Sequence, residues 1–317
     1  MFKHILVPLD GSLRAEQALP VAARIACATR SSLILLETIN PMDEMGLSTL
    51  PHDHSLLEME NTYLQQVAHS PALAGLEVTT RACIGLPTEQ ILLAVENSHV
   101  DLIVMCSHGR TGLKRWTMGS VAQKISRISP VPVLVLQEED QLLQQLCSHE
   151  AEPVRMVVAL DGSALSEKAL EPAAYLCAAL SMPARGILQL TYVMHLPSSF
   201  EYGQEDSVSR ALQKATPQAQ NYLQAVQQRL QKGEISSLHL DITITLTHDL
   251  DVASKLLRIA ERGEKQDGHN RCQLIALTTH GRSGLQRWIT GSVTERMLSK
   301  ATISLLVVEP SPDEKGR

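Results

Sequence analysis

"HGRTGLKRWTMGS" runs from His108 to Ser120, and "HGRSGLQRWITGS" runs from His280 to Ser292. Nine of the thirteen positions are identical. An apolar run precedes each copy, "DLIVMC" in one case and "QLIALT" in the other, and a helical pattern follows the closing Gly-Ser. Each phrase therefore links a strand to the start of a helix. In a doubly wound α/β sheet, ligands collect in such places, at the carboxyl ends of strands beside the point where strand order reverses.

The repetition extends in both directions. "HILVPLDGS" (His4 to Ser12) returns as "MVVALDGS" (Met156 to Ser163). Asp10 and Asp161 are 151 positions apart, whereas His108 and His280 are 172 apart, so the second copy carries 21 additional residues between its two motifs. Two polar segments can absorb them as surface insertions: "SSFEYGQEDSVSRALQKATPQAQ" after Val193, and "ERGEKQDGHNRC". Both copies give the same order of elements. A β-branched run (Ile5 to Leu9; Val157 to Leu160) precedes an Ala-rich helix (Ala15 to Ala28; Ser166 to Ala179). A second strand (Leu33 to Ile39; Ile187 to Val193) precedes a second helix, Ser55 to Ala68 in one copy and longer, within Ser207 to Gln231, in the other. Alternating "LEVTTRAC" and "LHLDITITL" form a third strand, and the short helices "TEQILLAVEN" and "VASKLLRIAE" follow. The fourth strand, the quoted phrase and its helix lead to a last strand, "VPVLVL" or "ISLLVV". Strands alternating with helices predict βαβ units and a parallel sheet covered on both faces. The acidic, Gln-rich "QEEDQLLQQLCSHEAEP" (Gln137 to Pro153) reads as a linker, with domains at 1–140 and 153–312.

The residue types in the phrase suit a phosphate. Helix N-termini present N–H groups without intrahelical partners and the positive end of the helix dipole. Gly109, Gly119, Gly281 and Gly291 lack a Cβ and let a ligand approach the backbone. Arg110 and Arg282 add positive charge, as do Lys114 and Arg115 in the first copy. A plainer reading stands beside this one: Ser120 with Gln123, and Ser292 with Glu295, fit a capping box. The cap leaves unexplained a second Gly ten residues upstream in both copies. Asp10 and Asp161 end the first strand of each unit. If strands one and four are neighbours, these carboxylates face the same crevice and can accept from a nucleobase amino group or a ribose hydroxyl, although each taken alone reads first as a turn or N-cap residue.

Bulk properties narrow the field. The 317 residues are 44% hydrophobic and 20% charged with a net charge of −6, which argues against nucleic-acid and membrane-surface binders. Aromatics make up 3%, too few for base-stacking platforms. The six cysteines show no C-x-x-C spacing and suit a reducing compartment, the cytoplasm. The N-terminus does not read as a signal peptide, and no apolar run approaches the ~20 residues that span a bilayer. "PHDH" (Pro51 to His54) lacks a third metal ligand, so no metal site is expected there. His108 and His280 have no nucleophile pattern nearby and read as loop-ordering residues. Trp116 and Trp288 read as exposed or interface anchors.

Together, "LDGS" after the first strand and "SHGRTGL…GSV" before a Pro-containing last strand resemble the universal stress protein family, over nearly the whole chain and as two tandem domains. The resemblance implies an adenine nucleotide alpha hydrolase-like fold in each domain, a five-stranded parallel sheet of order 3-2-1-4-5. ATP-binding members carry G-x-x-G-x9-G-[ST]. Here the second and third glycines and the hydroxyl match at Gly109, Gly119 and Ser120, and at Gly281, Gly291 and Ser292, while Cys106 and Thr278 replace the first glycine. By the same resemblance Asp10 and Asp161 contact adenosine, flanked by Pro8, Leu9, Ala159 and Leu160. Thr38 and Val193 line the adenine pocket, and Met105 and Leu277 pack beside the nucleoside. Gly119, Ser120, Val121 and Ala122, and Gly291, Ser292, Val293 and Thr294, take the phosphates, with His108, Arg110, His280 and Arg282 in the loops.

The expected function is that of an ATP-binding regulatory stress-response factor. Its ligand is ATP, ADP or AMP, with Mg²⁺ as a companion, and its other partner is a regulatory protein. It is not expected to be an enzyme beyond slow hydrolysis. A true ATPase or phosphotransferase and a nucleotide-free scaffold are the alternatives. The last strands are expected to pair across domains, within the chain or in a homodimer. After the third strand the first copy has "IGLP" and the second "HDLD" (His248 to Asp251), where Asp249 and Asp251 would repel a polyphosphate unless a metal or Arg offsets them. Weaker binding is therefore expected in the second copy.

Overall fold

The computed structural model describes residues 2–40, 53–109, 118–137, 142, 153–196, 205–263, 271–281 and 291–310. The chain divides into two compact units, Met1–Glu150 and Ala151–Arg317.

The first unit opens with β1 (His4–Leu9), α1 (Leu13–Glu16) and α2 (Ala18–Thr29), then β2 (Ser32–Ile39) and α3 (Asp53–Ala68). It continues through β3 (Val78–Ile84), α4 (Pro87–Asn97), β4 (Leu102–Cys106), α5 (Ser120–Ile128) and β5 (Val133–Leu136). Its strands lie in the order β3-β2-β1-β4-β5, and these neighbours run parallel. The second unit repeats this with β6 (Arg155–Leu160), α6 (Ala164–Glu167), α7 (Leu170–Ser181), β7 (Gly186–His195), α8 (Glu205–Lys232), β8 (Leu240–Asp249), α9 (Val252–Arg262), β9 (Leu274–Thr278), α10 (Ser292–Lys300) and β10 (Ser304–Val308). Its order is β8-β7-β6-β9-β10, again parallel. In both units strand order reverses between the first and fourth strands.

The central strands are apolar on both faces because helices cover both. β4 and β9 are buried at all five positions. On one face of the first sheet, Leu6, Leu36, Ile103, Met105 and Val135 pack against Ile91, Val95, Ala122 and Ile125 of α4 and α5. β3, at the end of its order, alternates half-buried and exposed residues, as a strand covered on one side does.

Two expectations need correction. The Ala-rich helix is two pieces in each unit, interrupted at Gln17 in one and at Lys168 and Ala169 in the other. Pro20 and Pro172 are the cause: each lacks an N–H to bond the carbonyl four residues back, Glu16 or Lys168, and its ring clashes there. The longer second helix expected within Ser207 to Gln231 is α8, with 28 residues against 16 in α3, and it takes up part of the polar insertion. The third strand of the second unit runs on through His248 and Asp249, which pair with Met194 and His195 rather than forming a turn.

Candidate functional site

Each crevice begins with a carboxylate held by the turn that follows the first strand. Asp10 Oδ1 accepts from the Ser12 amide at 3.1 Å and the Ser12 hydroxyl at 2.6 Å. Ser12 in turn caps α1 by accepting from the Ala15 amide at 3.2 Å. The second unit repeats these bonds: Asp161 Oδ1 accepts from the Ser163 amide at 2.9 Å and hydroxyl at 2.6 Å, and Ser163 accepts from Ser166. The turn reading of both aspartates is therefore correct for one oxygen. The other oxygen faces the Gly loop. A Cβ on Gly109 would fall well inside 3.0 Å of Asp10 Oδ2, and one on Gly281 well inside 3.0 Å of Asp161 Oδ2. The start of each loop thus lies directly against the carboxylate of the neighbouring strand, at the point where strand order reverses.

The loop's far end is clasped to its near end. The Gly119 amide donates to the Ser107 carbonyl at 2.7 Å, and the Gly291 amide to the Thr279 carbonyl at 2.8 Å. A Cβ at residue 119 would meet that same carbonyl at 3.1 Å, and one at residue 291 at 3.4 Å. This clasp accounts for the equal loop lengths, since closing it fixes both where the loop leaves the strand and where the helix begins. The histidines order the loop's entry: His108 Nδ1 lies 3.0 Å from the Ser107 hydroxyl, and His280 Nδ1 lies 2.9 Å from that of Thr279.

The capping-box reading is corrected. Gly119 and Gly291, in extended backbone, are the N-caps of α5 and α10, so Ser120 and Ser292 are the first helical residues, with exposed side chains. The amides of Gln123 and Glu295 bond the Gly119 and Gly291 carbonyls, both at 2.9 Å. A glycine cap brings no side chain to the first amides of its helix, which suits a terminus meant for an external anion.

The remaining positions fall around the same crevices. Leu9 registers with Glu37, and Leu160 with Tyr192, so Thr38 and Val193 occupy equivalent places at the ends of β2 and β7. The Thr38 hydroxyl approaches Cys83 Sγ at 3.7 Å, and Val193 is buried. Pro8 and Ala159 are half-buried beside buried Leu9 and Leu160. Met105 and Leu277 are buried one residue before the strand ends. Val121 and Val293 are half-buried, and Ala122 and Thr294 are buried. The residues replacing the family's first glycine behave differently. The Thr278 hydroxyl donates to the His280 carbonyl at 2.6 Å, while Thr294 donates to the Thr278 carbonyl at 2.8 Å, bracing the loop from within. Cys106 instead turns its thiol towards the Ala15 carbonyl, 3.9 Å away. Arg110, Lys114, Arg115, Trp116, Arg282 and Trp288 lie outside the described residues, as does most of the linker.

Asp249 and Asp251 are each offset by an arginine. Asp249 pairs with Arg258. Asp251 caps α9 through the Ser254 amide and hydroxyl, and lies 2.9 Å from Arg296 of α10. Both carboxyls titrate below their ordinary value: partial burial pushes upward, but it is outweighed by hydrogen bonds from the Asp251 amide and from Ser254 respectively, and by the arginines.

A duplicated tyrosine escaped the sequence reading. Tyr63 of α3 donates to Glu16 at 2.9 Å, and Tyr222 of α8 stands beside Glu167 and edge-on to Tyr192. Burial, then the glutamates, pushes both phenols well above their usual range. The signal was present as "YLQQV" (Tyr63 to Val67) and "YLQAV" (Tyr222 to Val226). Glu37, buried behind the Gly11 turn, also went unnoticed; Tyr192 takes its register in the second unit.

Among the described residues no helix is long and apolar enough to cross a membrane, and no cluster of His, Cys, Asp and Glu has the makings of a metal site.

Comparison with known proteins matches residues 1–137 and 154–309 to the universal stress protein family. Universal stress protein YxiE of Bacillus subtilis is 30% identical over 148 residues, covering 43% of this chain and 99% of its own. Universal stress protein Rv2005c of Mycobacterium tuberculosis is 23% identical over 317 residues, 97% of each chain. The crystal structure of a universal stress protein from Archaeoglobus fulgidus shares the fold, with a TM-score of 0.63 at 19% identity over 97% of this chain and 98% of that one.

Proposed function

Since the chain belongs to the universal stress protein family, through both of its domains, we propose that it binds an adenine nucleotide in each and acts as an ATP-responsive regulatory protein. The observation that carries this reading is the contact of Gly109 with Asp10, repeated by Gly281 with Asp161. It sets a carboxylate acceptor beside the start of a loop whose far end, clasped to Ser107 or Thr279, opens a helix, in both domains.

In each crevice Asp10 or Asp161 accepts from the ribose or base, while the first amides of α5 or α10, with Ser120 or Ser292, take phosphate oxygens. Thr38 and Met105, or Val193 and Leu277, supply the apolar walls for adenine. Mg²⁺ enters on the phosphates and keeps its waters, as that ion does where a protein offers no carboxylate cage. Binding biases the Gly loops towards one arrangement, and a partner protein that prefers that arrangement is recruited; the coupling equals the nucleotide's differential affinity for the two states. Hydrolysis, where present, is slow and incidental.

Isothermal titration of the full chain with ATP, Mg²⁺ present, tests the reading. Saturable binding that is lost at one site in Ser120→Asp and at the other in Ser292→Asp supports it. A flat titration overturns it. Turnover well above background that falls with Asp10→Asn would replace it with the enzyme reading.

A further inference from the structure

In each domain two helices lie side by side on one face of the sheet, α4 with α5 and α9 with α10. Each pair runs parallel, because each helix returns from the end of one parallel strand to the start of the next. The outward surfaces of the two pairs occupy equivalent places but differ in kind. In the second domain that surface is charged and paired within itself. Asp251, the N-cap of α9, lies 2.9 Å from Arg296, the fifth residue of α10, and Arg258, the seventh residue of α9, pairs with Asp249. α10 ends on Lys300. In the first domain the same three positions are apolar. The cap of α4 is Leu86, its seventh residue is Leu93 and the last residue of α5 is Ile128, and these are 47%, 45% and 41% exposed.

The three belong to one patch. Ile91, Ala94 and Val95 turn α4 towards the core, so Leu86 and Leu93, seven residues apart, share its outward side. The Asp251–Arg296 pair shows how such helices adjoin, with the cap of one beside the second turn of the other. Two turns on from its cap, Leu93 therefore comes level with the end of α5, where Ile128 stands. The fold does not demand this surface, since the second domain does without it. Clustered apolar residues left in solvent mark an interaction site.

The surrounding charges identify the occupant. α4 carries Glu89 and Glu96, both exposed, and no base, whereas α5 carries exposed Lys124 and half-buried Arg127 and no acid. Among the described residues Glu89, Glu96 and Lys124 make no ion pair. An acidic helix beside a parallel basic one is its own complement. A two-fold axis running along the helices, between them, sets α4 of each copy over α5 of the other at the same depth. Leu93 then meets Ile128 of the other copy, and Glu89 meets Lys124 and Arg127, with opposite charges facing each other twice. Neither helix of the second domain is acidic, since bases outnumber acids in both α9 and α10, so that face has no such complement.

We propose that two copies of the chain dimerise through the α4–α5 face of their first domains, with Leu86, Leu93 and Ile128 at the centre and Glu89 and Lys124 setting the register.

Sedimentation velocity of the full chain, diluted through the micromolar range without nucleotide, tests this. A reversible monomer–dimer equilibrium is expected. Leu93→Arg and Ile128→Lys give the first domain the residues that the second already carries at these places. Each should weaken the dimer about ten-fold or more, as truncating an interface centre does, while melting temperature, measured on the dilute monomer, stays the same. Lys124→Glu and, in a separate chain, Glu89→Lys should each dimerise poorly alone and pair with one another when mixed, read by co-sedimentation of a dye-labelled chain. A chain that stays monomeric, a dimer indifferent to Leu93→Arg, or charge variants that fail to pair on mixing overturns the proposal. Binding of the monomer to phospholipid vesicles, lost in Leu93→Arg, would overturn it in favour of a membrane surface.

Discussion

A methyl group at residue 109 or 281 has nowhere to go, because a carboxylate oxygen of Asp10 or Asp161 already occupies the space. Gly109→Ala and Gly281→Ala should each destabilise their domain by about 1–3 kcal/mol, the usual cost of overpacking, and abolish nucleotide binding there. Adding Asp10→Ala to Gly109→Ala should cost less than the sum of the two separate losses, because it relieves the clash even as it gives up the Ser12 bonds, and should not restore binding. Such non-additivity in melting is the mark of a direct contact, and additive losses would refute the contact. The cysteines make a second prediction. Burial pushes the Cys177 and Cys272 thiols up to about 12, and Cys27 is exposed. Iodoacetamide at neutral pH should modify Cys27 in the folded chain and reach Cys177 and Cys272 only on unfolding, as read by peptide mass mapping.

The starts of α9 and α10 add a pH dependence. Asp249 and Asp251 have folded-state values below the ordinary 3.8, so their contribution to stability is complete above that value and is lost as pH falls through the lower folded ones. Asp251→Asn should therefore be less stable than the parent at neutral pH and flatter in its acid melting profile below 3.8. Parallel profiles would count against the ion pair's role. Here too the limits of sequence reading become physical. The alternation of apolar runs with helical patterns placed every strand among the described residues, because a doubly covered sheet writes its burial into consecutive residues. The break before Pro20 was missed because its cause acts on a carbonyl four residues back, inside an otherwise fine Ala-rich pattern. Ser120 was misread as a cap because S-x-x-Q fits a serine at the cap and a serine one place later equally well. Tyr63 and Glu16, 47 residues apart, meet only once the helices are packed. The Arg partners of Asp249 and Asp251 were foreseen only as a condition, since sequence spacing alone does not bring α10 to the start of α9.

Across the chain, the same crevice is built twice from the same parts: a carboxylate after the first strand, a glycine against it, and a glycine-capped helix closing the loop. The family match spans both halves. Duplication of this frame favours a pair of ligand sites over a pair of well-made turns, since a turn alone needs neither the packed glycine nor the glycine-capped helix at fixed spacing. The most direct test is the stoichiometry of adenine nucleotide bound by the full chain at saturation, determined by calorimetry on the parent, on each single Ser→Asp variant and on the double variant. Two per chain, one in each single variant and none in the double variant is the predicted result. Binding that survives in the Ser120→Asp, Ser292→Asp double variant, or none in the parent, would contradict it.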